Sequence, residues 1–210
     1  MTQPSAESGG PCRSGVSRRA LLAAGLGATG LLALTGCTEP GPAGAAGWDE
    51  VTSANGTVTE WRTGSRPDAV AFAGPTDAGG RLASTELAGQ VVVLNFWYAG
   101  CPPCRAEAPD LQALWTRYRG NGVRFVGVNT LDDAATAQAF ARTFKITYPS
   151  ILDRADGTVL LAFAGVVSVK AVPTTLVLDR GGRVAARVLG KIPDQSVLRT
   201  LIEDTAKEAS

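Results

Sequence analysis

Two cysteines separated by two prolines stand where an apolar run gives way to helical spacing, and this junction limits what the chain can become. Over VVVLNFWYAGCPPCRAEAP, residues 91–109, the apolar segment Val91–Trp97 has strand length and passes through Ala99 and Gly100 to Cys101. Amphipathic helical spacing begins directly afterwards. Both thiols therefore sit at a strand-to-helix turn. Cys101 falls at or just before the helix N-terminus, where unpaired N–H groups and the helix dipole favour an anion, which makes it the candidate nucleophile. Cys104 lies one helical turn further in with its sulfur directed back, close enough to close a short ring, and is the candidate resolving thiol. Pro102 and Pro103 cost little at the first helical positions, which have no intrahelical N–H bond to lose.

A Cys-x-x-Cys pair can also be half of a zinc site or a plain structural disulfide. Zinc needs four ligands in a closed site, and the chain has no histidine. Its other cysteines, Cys12 and Cys37, lie in an apparent leader, so no metal is expected. A structural disulfide over two residues closes too small a loop to contribute much through chain entropy. The absent histidines also argue against a Cys-His hydrolase dyad. Redox chemistry is the reading left standing.

These residues resemble a family. The run Val92-Val93-Leu94-Asn95-Phe96-Trp97, followed by Cys101-Pro102-Pro103-Cys104-Arg105-Ala106-Glu107-Ala108-Pro109, is similar to extracytoplasmic thioredoxin-like proteins of the TlpA/ResA type. Further on, Ala171-Val172-Pro173-Thr174-Thr175 matches the family's loop before a strand, whose proline is cis and packs beside the active cysteines. The resemblance covers about 68–207. It implies an α/β thioredoxin-like fold, a mixed central sheet flanked by helices, with an N-terminal β-hairpin extension and a central insertion. It also implies that Glu107 is held near the cysteine pair and influences its protonation, where a solvated helix charge is the plainer alternative. Val172 and Pro173 become candidate substrate-binding residues, presenting backbone to an extended client.

Two departures from the pattern matter. Asn95 stands where thioredoxin carries a buried aspartate, so that protein's proton relay does not transfer. Gly100 stands where many relatives have tryptophan, which predicts a more open rim around Cys101. Phe96 and Trp97 are read as packing, with Trp97 placed to report the redox state by fluorescence.

The rest of the chain divides into three. Residues 1–37 read as a signal peptide, with Ser17-Arg18-Arg19-Ala20-Leu21-Leu22 resembling a twin-arginine export signal and the general secretory route as the alternative. The apolar run 20–34, broken by Gly25, Gly27 and Gly30, is short for a membrane span. It ends in Leu34-Thr35-Gly36-Cys37, which resembles a lipobox and makes Cys37 the candidate lipidation site. Residues 38–66 are assigned to a linker or tether, rich in glycine, proline and alanine to about Gly47 and undecided from Trp48 to Arg66. Residues 67–210 form the expected domain, and 45% hydrophobic content supports a real core.

Within it, residues 68–72 and 80–84 are expected to form the hairpin. Apolar spacing predicts the active-site helix to about Arg119, a strand over 123–128, and a helix over 132–144 capped by Asp132 or Asp133. A short strand over 150–152 and a helix or turn from Gly157 to Phe163 follow. An antiparallel hairpin over 174–178 and 183–189 and a final helix opened by Pro193 and Asp194 complete the domain.

The function these features imply is an extracytoplasmic thiol-disulfide oxidoreductase on the outer face of the bacterial membrane, reducing disulfides of exported proteins such as apocytochrome c. Its electrons would come from a membrane thiol-disulfide donor. Alternatives are an oxidase that forms disulfides in exported proteins, a non-catalytic binding or chaperone module, and a peroxidase, against which the Cys-x-x-Cys spacing argues. No cofactor is expected. The balance of 20 basic and 19 acidic residues gives no pull toward nucleic acid, and nothing predicts a dimer, so a monomer is expected.

Overall fold

The computed structural model describes residues 50–168 and 170–208, so the expected leader, with Cys37, and the start of the expected tether lie outside the described residues. At its centre is β5 (Val91–Trp97), with all seven residues buried. Such a strand must be covered on both faces, and its alternating side chains divide the core in two. Val91 and Val93 face a cluster with Leu111, Leu114, Trp115, Leu198 and Ile202. Val92, Leu94 and Phe96 face a second cluster with Val128, Ile151, Phe163 and Leu176.

Parallel to β5 run β6 (Val123–Asn129) and then β7 (Ser150–Leu152); antiparallel to it runs β8 (Thr174–Leu178), hairpin-paired with β9 (Val184–Leu189). The helices are α1 (Pro102–Tyr118), α2 (Ala134–Phe144), α3 (Thr158–Ala162) and α4 (Gln195–Lys207). Apolar residues of α1 and α4 supply the first cluster, and Phe140 of α2 joins Trp97 on that same face of β5. The opposite face is covered by Val159 of short α3, Phe72, Leu87 and the segment around Phe163. Helices thus flank both faces of a mixed sheet, but three of the four α-helices among the described residues lie on one.

The described fold begins earlier than residue 67. Strands β1 (Glu50–Thr52) and β2 (Val58–Trp61) join the main sheet, whose order is β1-β2-β9-β8-β5-β6-β7. Thr59 and Trp61 are buried, and the Arg66 guanidinium bridges Asp179 at 2.9 Å and Glu208 at 2.6 Å. Residues 50–66, expected to belong to the tether, are therefore part of the fold. Residues 48–66 gave no visible signal because β1, at the sheet edge, has three residues and β2, VTEW, has four, too few for periodicity to register.

The N-terminal hairpin is also displaced. Its strands are β3 (Ala73–Pro75) and β4 (Arg81–Ala83), whereas 68–72 lies outside any strand, tied by Val70 to Gly182 and by Phe72 to Ser84, with the Phe72 ring 5.6 Å from that of Phe163. Pairing starts at Ala73, and the glycine next to it lets this strand lie close on β7: a Cβ on Gly74 would sit 2.4 Å from Ile151 Cγ2. Thr76 bridges Ile151, and Asp77 exchanges bonds with Ser150, so the hairpin covers the β7 edge. Among the described residues, no helix is long and apolar enough to cross a membrane.

Candidate active site

Beyond Trp97 the chain turns through Tyr98, Ala99 and Gly100, and Cys101 becomes the N-cap of α1. The backbone of Cys101 is extended, and its sulfur accepts the N–H of Cys104 at 3.2 Å. This is the helix N-terminal environment that favours sulfur as an anion. Cys101 and Cys104 are joined in a disulfide with Cα atoms 5.3 Å apart. The Val172–Pro173 peptide is cis, and the Val172 carbonyl oxygen lies 4.0 Å from the Cys101 sulfur. Residues 71 positions apart in sequence thus meet at one end of the sheet, since β8 begins where β5 ends.

The rim is closed rather than open. Cys101 is 1% exposed and Cys104 2%, with Tyr98, Ala99 and Val172 packed against the pair. Gly100 removes a side chain from the turn, but the Tyr98 ring lies 3.6 Å from where its Cβ would be and fills part of that space. Below the disulfide, Trp97 stacks on Phe140 at 4.3 Å between ring centres. The indole crosses Gly127, where a Cβ would meet Trp97 Nε1 at 2.7 Å and Ser150 Oγ at 2.3 Å.

Glu107 is not a solvated helix charge. It is 1% exposed, on the inward face of α1 one turn after Cys104. Asn95 Nδ2 donates to its Oε1 at 2.9 Å, and the Ile192 N–H donates to its Oε2 at 3.0 Å. Burial pushes its carboxyl up to about 7. The two donors and the Lys191 ammonium oppose that rise, and Asp110 adds to it. Burial, and then the nearby Glu107, likewise raise the Tyr148 phenol. A cavity of about 10 Å³, room for roughly one water, is lined by Cys104, Asn95, Tyr148 and Ser150 among others. Asn95 therefore stands between Glu107 and the space behind Cys104.

Of the residues expected from sequence, the structure brings together Cys101, Cys104, Val172 and Pro173, with Glu107 buried one turn behind. Cys37 lies outside the described residues. Missing from the sequence reading are the supports of Glu107. Asn95 also donates to Thr175 Oγ1 at 3.0 Å, because these residues are partners in the β5–β8 ladder. Thr175 was visible within the proline-loop motif. Ile192 acts through a backbone N–H, which no residue type announces.

The chain resembles known thiol-disulfide proteins in both sequence and structure. It is 32% identical over 117 residues to a thiol-disulfide oxidoreductase, ResA, of Geobacillus thermodenitrificans, covering 56% of this chain and 64% of that protein. It is 32% identical over 123 residues to the thiol:disulfide interchange protein DsbE of Pseudomonas aeruginosa, covering 59% and 63%. The chain thus spans a little under two thirds of the length of these curated relatives. Among solved structures, a DsbF homologue of Corynebacterium diphtheriae is 31% identical with a TM-score of 0.65, covering 75% of this chain and 99% of that one. A secreted thiol-disulfide isomerase of Corynebacterium glutamicum is 28% identical with a TM-score of 0.66, covering 76% and 98%. The fold is that of thioredoxin, and the AhpC/TSA family model matches residues 66–187, more than half of the sequence: the chain belongs to the AhpC/TSA family.

Proposed function

We propose that this protein is an extracytoplasmic thiol-disulfide oxidoreductase that reduces disulfides in exported proteins, apocytochrome c among them. One observation carries the reading: a Cys101–Cys104 disulfide caps the N-terminus of α1 and touches the Val172 carbonyl beside cis-Pro173. In the reduced protein, the Cys101 thiolate attacks one sulfur of a client disulfide, forming a mixed disulfide and expelling a client thiolate, which takes up a proton. The Cys104 thiolate then attacks the Cys101 sulfur, closing the internal disulfide and releasing the second client thiolate. Two electrons pass to the client, and a membrane dithiol restores the pair.

Val172 and Pro173 present backbone to the client segment. Glu107 exchanges a proton near neutral pH one turn from Cys104, which fits a role in the protonation of the pair. Support for export comes from the leader sequence and from the secreted Corynebacterium relative. Anchoring through a diacylated Cys37 follows from the lipobox pattern, and mass spectrometry of the mature N-terminus tests it: any start other than acylated Cys37 removes the anchor.

The direction of transfer depends on redox poise rather than fold, and oxidation of exported proteins is the competing direction. The reduction potential of the pair, equilibrated against glutathione and dithiothreitol, decides between them. A value near that of thioredoxin, about −270 mV, supports a reductant; one near about −120 mV makes the protein an oxidant.

A further inference from the structure

The turn that delivers Cys101 to α1 is held by backbone bonds, by Arg105 of α1 and by one side chain from the segment after β6. Trp97 O accepts the Thr130 N–H at 3.1 Å, and Tyr98 O accepts the Cys101 N–H at 3.2 Å. Ala99 O takes a longer bond of 3.4 Å from Arg105 Nη1. Ala99 N–H donates to Asp132 Oδ2 at 2.6 Å, the shortest of the set. The Asp132 carboxylate is itself fixed: Asn129 Nδ2 donates to the same oxygen at 2.8 Å, and Asn129 Oδ1 accepts the N–H of Leu131 and of Asp132. Asn129 is fully buried, so this bracket stands on the end of β6.

Two adjacent aspartates precede α2, and only one of them caps it. Asp133 accepts the Thr136 N–H at 2.8 Å and is the N-cap. Asp132 is free of that task and turns to the active-site loop instead. A hydrogen bond to a charged acceptor contributes more than a neutral one, and here it fixes a turn that carries an exposed glycine.

We propose that Asp132 is a positioning residue for thiol-disulfide exchange, whose bond to the Ala99 N–H holds the Cys101 sulfur against the N-terminus of α1. The inference rests on Cys101 being the attacking thiol. Alkylation of the reduced, unmutated protein checks that first: if Cys104 reacts ahead of Cys101, the proposed function fails before any variant is made.

The test compares Asp132→Ala with Asp132→Asn, following Cys101 alkylation by iodoacetamide from pH 5 to 9. Both variants lack the carboxylate charge, and Asp133 keeps the α2 cap in each. Only Asn retains an oxygen that can accept the Ala99 N–H. The expected midpoint for Asp132→Ala lies about one pH unit above that for Asp132→Asn, the tenfold that such a bond is worth in thiolate stability. A merely structural role would lower the melting temperature without separating the midpoints. Coincident midpoints overturn the proposal. A measurement without mutation stands beside it: in the oxidised protein, amide exchange at Ala99 is expected to be slowed about a hundredfold or more, and exchange at the unprotected rate overturns the bracket whether or not the variants fold.

Discussion

Replacing Glu107 by glutamine removes a buried group that must ionise within the pH range where the protein works. The carboxyl titrates at about 7 in the fold against an ordinary value of 4.5, and burial is the largest cause. Because the folded-state value is raised, the native protein holds the proton more tightly than the unfolded chain between those values. Stability is therefore undiminished below about pH 4.5, falls as pH rises toward 7, and is lowest above it. A shift of that size corresponds to about 3 kcal/mol at pH 8, good to roughly 1 kcal/mol. Glutamine cannot ionise. Its oxygen can still accept the Ile192 N–H, and its amide can donate to Asn95 if that side chain rotates and takes a bond from the Thr175 hydroxyl. The difference in unfolding free energy between Glu107→Gln and wild type should grow by about 3 kcal/mol from pH 4.5 to pH 8, in favour of the variant. Urea denaturation of the two oxidised proteins at both pH values measures it, and other titrating groups cancel in the difference. A difference independent of pH would refute the reasoning. In the reduced protein the same substitution should alter the pH profile of Cys101 alkylation.

Two further changes probe the same core. Gly127→Ala places a methyl against Trp97 Nε1 and Ser150 Oγ, and since the indole is stacked on Phe140 it cannot yield freely, so thermal unfolding should show a loss of about 1–3 kcal/mol together with altered tryptophan fluorescence. Asn95→Asp puts a second carboxyl 2.9 Å from Glu107; the two should then share one proton, and potentiometric titration should show a coupled pair with one proton retained above pH 7, whereas two independent acidic titrations would contradict the geometry.

How far the sequence announced this structure depended on the range of each signal. The β5–α1 junction was legible because an unbroken apolar run, two prolines and helical spacing are all local, and the structure places Cys101 at the N-cap as the spacing required. The β8–β9 hairpin followed from a similar local pattern, and the mixed sheet from the family resemblance. The first hairpin strand was misplaced because Val70 and Phe72 are apolar for packing, while the pairing residues Ala73-Gly74-Pro75 carry little strand propensity and owe their position to Ile151. Asp132 and Asp133 were interchangeable as caps in sequence; only the register of β6 beside β5 decides which one reaches Ala99. The burial of Glu107 needed a strand residue and a backbone N–H 85 positions away, beyond any local pattern. The closed rim around Cys101 depended on the Tyr98 ring and the Val172 loop, neither of which a glycine in the turn could reveal.

The central claim is that Cys101 attacks and Cys104 resolves. The most direct test incubates the reduced Cys104→Ser and Cys101→Ser proteins with a disulfide-bonded protein substrate and looks for a covalent adduct on a non-reducing gel. The account predicts an adduct linked through Cys101 that accumulates in Cys104→Ser, since serine cannot displace the client, and none in Cys101→Ser. Equal trapping by both variants, or an adduct formed only through Cys104, would contradict it.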